Sequence, residues 1–433
     1  MSERSRPPLP FREFLVKVHS RCNLACRYCY VYESADRGWR AQPLGMAPET
    51  ARLACLRIAE HARRHALRSV RVILHGGEPL LAGTEFLARF VRGLRAALPA
   101  ATRAEVALQT NGTLLDETVL RFCHAEDIRI GVSLDGPPVV HDRYRRDPAG
   151  RGSHARVAAS LELLARPEHR PLWAGLLTTV DPSTDPLATY DHLLSYDPPA
   201  LMLILPLGNW TVPPPGRVPD PALTPYADWL IPVFDRWYGS TGRAPRITFF
   251  ESVIDLLLGG DSASETIGGA PSRLAVIDTD GSLTLSDHLK TTYDGADRTG
   301  LDVHHDPLDA LLDHPGVAAR QAGPAGLCAG CRACPLVAVC GGGHYPHRYR
   351  AGSGGAGHDN PSVYCPDLAR FIGHVARSVA ADLPATGAKA GRAAADPAKD
   401  GPATGDQGAD GRATDDLATV DRGAVDRGAG HGG

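Results

Sequence analysis

From Phe11 to about Leu205 the chain alternates short apolar runs with longer amphipathic ones, and this alternation limits its fold more than any other feature. Short apolar runs read as strands and 3.6-period stretches as helices, and repeated strand–helix units imply a parallel sheet with right-handed crossovers. Strands are expected at 14–18, 70–74, 106–108, 128–134, 173–180 and 201–205. Helices are expected at 47–66, 84–98, 116–126, 154–165 and 186–195. Six units fit an open partial barrel better than a closed eight-stranded one. In parallel α/β folds the ligand binds at the carboxyl ends of the strands.

The first strand runs directly into Cys22-Asn23-Leu24-Ala25-Cys26-Arg27-Tyr28-Cys29. A loop with this spacing can set three sulfurs on three corners of a [4Fe–4S] cube, and it offers no fourth ligand of its own, so one iron is left open. Zinc is the alternative, although structural zinc usually takes four ligands in pairwise Cys-x-x-Cys order. The second strand ends in Gly76-Gly77-Glu78-Pro79, where glycines admit close backbone approach and a carboxylate can accept from an ammonium. Gln109-Thr110-Asn111-Gly112 and Ser133-Leu134-Asp135-Gly136 close the third and fourth strands, with polar groups at the same edge. Capping and turn formation are the ordinary roles of such residues. His141-Asp142-Arg143 is expected on a loop, where Arg143 can grip a carboxylate or solvate a helix entry.

A second cysteine group, Cys328, Cys331, Cys334 and Cys340, is followed by Gly341-Gly342-Gly343-His344 and later by Cys365. Such density describes a metal-wrapping loop for iron–sulfur or zinc. Cys55 and Cys123 lie in helical patterns and read as core residues.

The first loop, with Tyr28 before its last cysteine, resembles the signature of the radical S-adenosylmethionine (SAM) enzymes. That resemblance implies that Cys22, Cys26 and Cys29 hold the SAM-binding [4Fe–4S] cluster and that Tyr28, Gly76, Gly77, Glu78, Asn111, Ser133 and Asp135 line the SAM site. The second group is similar to the SPASM extension of peptide and protein maturases. Cys331, Cys334, Cys340 and Cys365 match positions that bind an auxiliary [4Fe–4S] cluster, while Cys328 is an extra thiol. The fourth cysteine of the run falls on His344, and a Gly-x4-Cys element becomes Gly281-x4-Ser286, so the first auxiliary cluster of the family lacks its usual ligands. In sulfatase-maturating relatives an aspartate follows the matching cysteine, and Asp287 inherits its candidacy as the catalytic base; its other reading is a turn carboxylate. Phe11 to Phe14, Val31-Tyr32-Glu33, Asp278 to Gly281 and Gly341 to Arg350 resemble the FxsB-type, cyclophane-forming branch. The implied reaction joins a side-chain Cβ to an aromatic ring in a ribosomal precursor peptide, with ferredoxin or flavodoxin as electron donor. Sulfatase-type formylglycine formation and thioether formation are the alternatives, and a non-enzymatic metal-binding scaffold is the rival from another class.

The expected organisation is a radical SAM barrel over 11–220, a helical bridge over 221–265, a SPASM-like domain over 266–382 and a disordered tail over 383–433. Within it, 208–225 reads as a linker or lid, 226–238 and 249–258 as helices, 275–285 as a hairpin turning at Asp280-Gly281, 307–321 as one helix and 366–381 as the last. With 43% apolar residues the core is ample, and a net charge of −3 argues against a nucleic-acid partner. No apolar run is long enough for a membrane span, no signal peptide is apparent, and clustered free thiols fit a reducing cytoplasm. With only 21 residues before Cys22, leader docking is expected directly on the catalytic and SPASM domains.

Overall fold

The structure is a computed structural model that describes residues 7–242, 245–262 and 264–383. The expected tail lies outside the described residues beyond Leu383. The strands are β1 (Glu13–His19), β2 (Ser69–Gly76), β3 (Arg103–Thr110), β4 (Ile128–Ser133), β5 (Trp173–Thr179), β6 (Ala200–Ile204), β7 (Arg246–Ile247), β8 (Leu274–Ile277), β9 (Ser282–Thr284) and β10 (Arg298–Asp302). The helices are α1 (Pro48–Arg64), α2 (Thr84–Ala97), α3 (Glu117–Ala125), α4 (Pro138–Tyr144), α5 (His154–Leu164), α6 (Pro186–Leu194), α7 (Pro225–Tyr238), α8 (Thr248–Leu257), α9 (Leu308–Leu312), α10 (Pro315–Gln321), α11 (Ala329–Arg332), α12 (Val337–Cys340) and α13 (Cys365–Asp382).

All six expected strands form, as do the five expected helices that follow the first five of them. The sheet runs β10-β9-β8-β1-β2-β3-β4-β5-β6-β7, parallel from β8 through β7 and antiparallel at β9 and β10. Its two edges do not meet, so the barrel stays open. Helix α1 shows why the chain folds this way. Pro48 opens it, Glu49 lies in its first turn, and His61, Arg63 and Arg64 lie in its last, matching the helix dipole. Its buried Ala51, Ala54, Cys55, Ile58 and Ala62 form one stripe against the sheet. Full burial of Ile58 alone is worth about 1.5–3 kcal/mol. Cys55 and Cys123 are core residues, as expected.

The hairpin at 275–285 forms as β8 and β9, and β8 pairs in parallel with β1, Val16 opposite Ile277. A segment some 260 residues downstream thus extends the barrel sheet across its first strand and brings Asp278 and Asp287 to Lys17.

Three expectations need correction, and two strands were not anticipated. Residues 138–144 form α4 rather than a loop, because Pro138 is pre-set for a first helical position; there Arg143 pairs with Asp181 at 3.2 Å. The 307–321 helix is two, since Pro315 opens a new helix and His314 Nδ1 accepts from the Gly316 N–H at 3.0 Å. Residues 208–225 are a pinned strap and not a lid: buried Asn209 donates to the Thr291 carbonyl at 3.0 Å, Trp210 Nε1 to that of Pro361 at 2.7 Å, and Arg217 Nε to that of Val363 at 3.0 Å. Strands β7 and β10 went unforeseen, one being two residues long and the other, Arg298-Thr299-Gly300-Leu301-Asp302, having no apolar run.

Candidate active site

The first cysteine loop leaves the carboxyl end of β1 and is tied to the end of α4 by two backbone bonds, Ala25 N–H to the Arg146 carbonyl at 2.7 Å and Arg27 N–H to that of Tyr144 at 3.2 Å. Cys22, Cys26 and Cys29 are partly buried and close enough to raise one another's pKa values. Burial pushes the Cys22 thiol up to about 12 and the Cys26 thiol to about 11, so a thiolate here needs positive charge. The donors around the sulfurs fit a cluster: the Leu24 N–H is 3.4 Å and Asn111 Nδ2 3.6 Å from Cys22 Sγ, and the Arg145 guanidinium favours the Cys26 thiolate. Gly77 lets the loop close, since a Cβ there would lie 2.0 Å from Tyr32 Oη and 2.4 Å from the Arg21 carbonyl carbon.

Glu78 is fully buried at the end of β2. Its carboxylate accepts from the Leu80 N–H at 3.1 Å, the Thr110 hydroxyl at 2.8 Å and the Asn111 N–H at 2.8 Å. Burial raises its pKa to about 7 against these bonds. In this arrangement Glu78 locks the ends of β2 and β3 together and orients Asn111, whose Nδ2 donates to Asn23 Oδ1 at 2.8 Å. Asp135 is equally engaged. It accepts from Arg145 Nε at 2.9 Å, from the Thr179 N–H at 3.0 Å and from the Tyr28 hydroxyl. Arg145 and these donors overcome burial and hold its carboxyl below the usual range. Tyr28 is thereby fixed beside Cys29. Ser133 is buried and accepts from Gln109 Nε2 at 3.1 Å.

Asp287 belongs to a buried ion cluster. Lys17 Nζ lies 2.7 Å from Asp278 Oδ2 and 3.3 Å from Asp287 Oδ1. Lys290 Nζ lies 3.7 Å from Asp287 Oδ1, 2.5 Å from Asp297 Oδ2 and 3.6 Å from Asp36 Oδ1. Burial pushes the Asp287 carboxyl up, but Lys17 and Lys290 outweigh it and hold it at about 2. Oδ2 of Asp287 and Nδ1 of nearby His75 are buried with no hydrogen-bond partner. The register pairs Lys17 with His75, so both side chains leave the same face of the sheet. The carboxylate thus keeps one oxygen free to take a proton.

The second cysteine group also converges. Cys331 is pushed up to about 12 by burial and then by its neighbours Cys328, Cys365 and Cys340, while Cys334 bears on both Cys340 and Cys365. All five thiols are partly buried. Gly341, Gly342 and Gly343 take left-handed φ values of 60°, 79° and 67° and turn the backbone so that Arg348 donates to all three carbonyls, at 2.9 to 3.1 Å. His344, in place of the fourth cysteine, stacks edge-on against His288, with Nδ1 of His288 3.3 Å from its Nε2.

Residues 16–168 match the Radical SAM superfamily. The chain carries a radical SAM domain. It is accordingly an enzyme, and the cofactors of this domain are a [4Fe–4S] cluster and SAM. The domain covers β1 through α5, from the cysteine loop past Glu78 and Asp135. The chain is similar to the cysteine-type anaerobic sulfatase-maturating enzyme of Clostridium novyi, 29% identical over 272 residues that span 61% of this chain and 70% of that protein. In fold it resembles anSMEcpe with bound AdoMet and the Kp18Cys peptide, with TM-score 0.72, 23% identity and coverage of 86% of this chain and 99% of that one. It also resembles Streptococcus suis SuiB bound to its precursor peptide SuiA, with TM-score 0.55, 13% identity and coverage of 82% and 76%. In fold, the two solved structures cover most of this chain. Among the described residues no helix is long and apolar enough to cross a membrane.

Sequence reasoning missed Lys17, Lys290 and Arg145. Lys17 did leave a signal, a lone lysine inside the apolar run Phe14-Leu15-Val16-Lys17-Val18, because an unpaired lysine is almost never fully buried. Arg145 left none: its partner Asp135 lies across a helix, and only the fold joins them.

Proposed function

We propose that this radical SAM enzyme matures a ribosomally made peptide by joining a side-chain Cβ to an aromatic ring. Cys22, Cys26 and Cys29 would hold the cluster that, with SAM, supplies hydrogen-atom abstraction, and Cys331, Cys334, Cys340 and Cys365 would hold an auxiliary cluster able to accept one electron. The overall change is loss of two hydrogens: one leaves Cβ as an atom, and one leaves the ring as a proton and an electron after the carbon–carbon bond forms. The protein's part is to hold the peptide, exclude water and take that proton on Asp287 Oδ2.

The observation that carries this reading is the Asp287 carboxylate, set 3.3 Å from Lys17 Nζ and 3.7 Å from Lys290 Nζ, which hold its pKa below the usual carboxylate range, with Oδ2 buried and unpartnered. So weak a base suits a proton that leaves readily because aromaticity is restored. It is a poor match for a substrate thiol, whose ordinary pKa is about 8.5. The replacement of the preceding cysteine by Ser286 and the run Gly341 to Arg350 support the same branch. A second reading, formylglycine formation, is supported by the likeness to sulfatase-maturating enzymes. A ferredoxin or flavodoxin donor, a cytoplasmic setting and leader docking on the barrel and SPASM-like segments complete the proposal. Coexpression with a small neighbouring open reading frame tests it: the expected product is lighter by two hydrogens, resists fragmentation between the joined residues and does not react with a hydrazide. An unchanged mass, or a hydrazide-reactive aldehyde, refutes the cyclophane reading.

A further inference from the structure

Away from both cysteine groups, His61 in the last turn of α1 and His65, the residue that caps its end, reach Asp309 of α9. His65 Nε2 is 3.0 Å from Asp309 Oδ1, and His61 Nδ1 reaches the same oxygen. One ligand atom from each of the three residues lies within 4.8 Å of the others. From this arrangement we propose that His61, His65 and Asp309 form a binding site for a divalent zinc-class cation, which clamps α1 of the barrel to α9 of the segment leading to the second cysteine group.

Three features of the surroundings support a cation over an ordinary polar contact. The first is the accounting of hydrogens on His61. Its Nε2 faces the Phe11 carbonyl at 3.2 Å, and a carbonyl only accepts, so Nε2 carries the proton. In a neutral ring Nδ1 then presents a lone pair to a carboxylate oxygen, two acceptors face to face. A cation ligated by both resolves the conflict, the two side chains moving apart from their direct contact to admit it. The second is that this outer bond is the one metal-ligating histidines make, the free ring N–H donated to a backbone carbonyl that fixes tautomer and ring orientation. The rings of Phe11 and Phe14 pack on His61, with centroids at 5.6 and 5.9 Å, and supply an apolar wall. The third is that the remaining oxygen, Asp309 Oδ2, is held by Arg64 Nε at 2.8 Å, which orients the carboxylate from outside. Two imidazoles and a carboxylate are a donor set that Zn²⁺ accepts, and water completes such three-ligand sites.

The site is separable from cluster chemistry because none of its ligands is a thiol. The cluster-loaded, full-length enzyme, treated with a chelator and then with one equivalent of Zn²⁺, is expected to retain one zinc per chain after desalting. Zinc X-ray absorption should then show nitrogen and oxygen neighbours and no sulfur. His65→Gln and Asp309→Asn should lose that zinc while keeping wild-type iron content, which reports that the chain has folded. Arg64→Gln should weaken binding about 10- to 100-fold, as loss of an outer-shell partner does. Failure of the wild-type enzyme to retain zinc, sulfur neighbours around the zinc, or full zinc retention by His65→Gln would each overturn the proposal. The first of these results would leave His61 and Asp309 as an imidazolium–carboxylate pair.

Discussion

Lys17→Met removes the cation on which two buried carboxylates depend. At an effective dielectric of about 20, charges separated by the observed 2.7 and 3.3 Å attract by roughly 5–6 kcal/mol each, before desolvation is subtracted. Truncating one member of a buried ion cluster leaves its partners uncompensated and typically costs about 3–5 kcal/mol. Lys290 stays near Asp287, so the charge left most exposed by the change is that of Asp278. Taking roughly 2 °C per kcal/mol for a chain of this size, the melting temperature of the anaerobic, cluster-loaded enzyme should fall by roughly 6–10 °C. Adding Asp278→Asn should recover part of that loss, since the two side chains are in contact and their effects are not additive. A fall of less than about 2 °C for the single variant would refute the reasoning. It would mean that the cluster is solvated rather than buried.

Other outcomes follow from the same geometry. Asp287→Asn should abolish peptide cross-linking while leaving 5′-deoxyadenosine formation intact, as read by mass spectrometry and chromatography. Because the folded carboxyl of Asp287 is depressed, its share of stability is present above the unfolded value near 3.9 and is lost as pH falls toward about 2. Glu78 has the opposite sign: its raised value means that stability falls as pH climbs from about 4.3 to about 7, and Glu78→Gln should flatten that slope in thermal melts. At pH 8 the same substitution should cost about 1–3 kcal/mol, because the new amide turns a donor toward the Asn111 N–H. Cys340→Ala should lose about half of the iron in a two-cluster enzyme, whereas Cys328→Ala should keep it if four of the five thiols suffice; iron assay reads both.

Much of the fold was legible because its strongest signals are local. The six barrel strands and the five helices between them, the Asp280-Gly281 turn and the last helix follow from periodicity and turn chemistry within windows of about twenty residues. The cysteine loop was legible for the same reason, its ligands being neighbours in sequence. What the sequence hid was long-range. The parallel pairing of β8 with β1 joins residues some 260 positions apart, and only that pairing turns Lys17 and Asp278 into partners. Glu78 was read as an acceptor for an ammonium; that the same carboxylate also accepts from Leu80, Thr110 and Asn111 is something no spacing rule reveals. Residues 208–225 looked like a lid because proline and glycine dominate them, yet buried Asn209 pins the strap to the Thr291 carbonyl.

The radical chemistry starts at the loop at the end of β1. Purified anaerobically, reconstituted with iron and sulfide and reduced with dithionite, the full-length protein should cleave SAM to 5′-deoxyadenosine and methionine. Cys22→Ala, Cys26→Ala and Cys29→Ala should each abolish that cleavage, while Cys331→Ala should spare it. No 5′-deoxyadenosine from the wild-type protein, or undiminished cleavage when all three loop cysteines are replaced together, would contradict it.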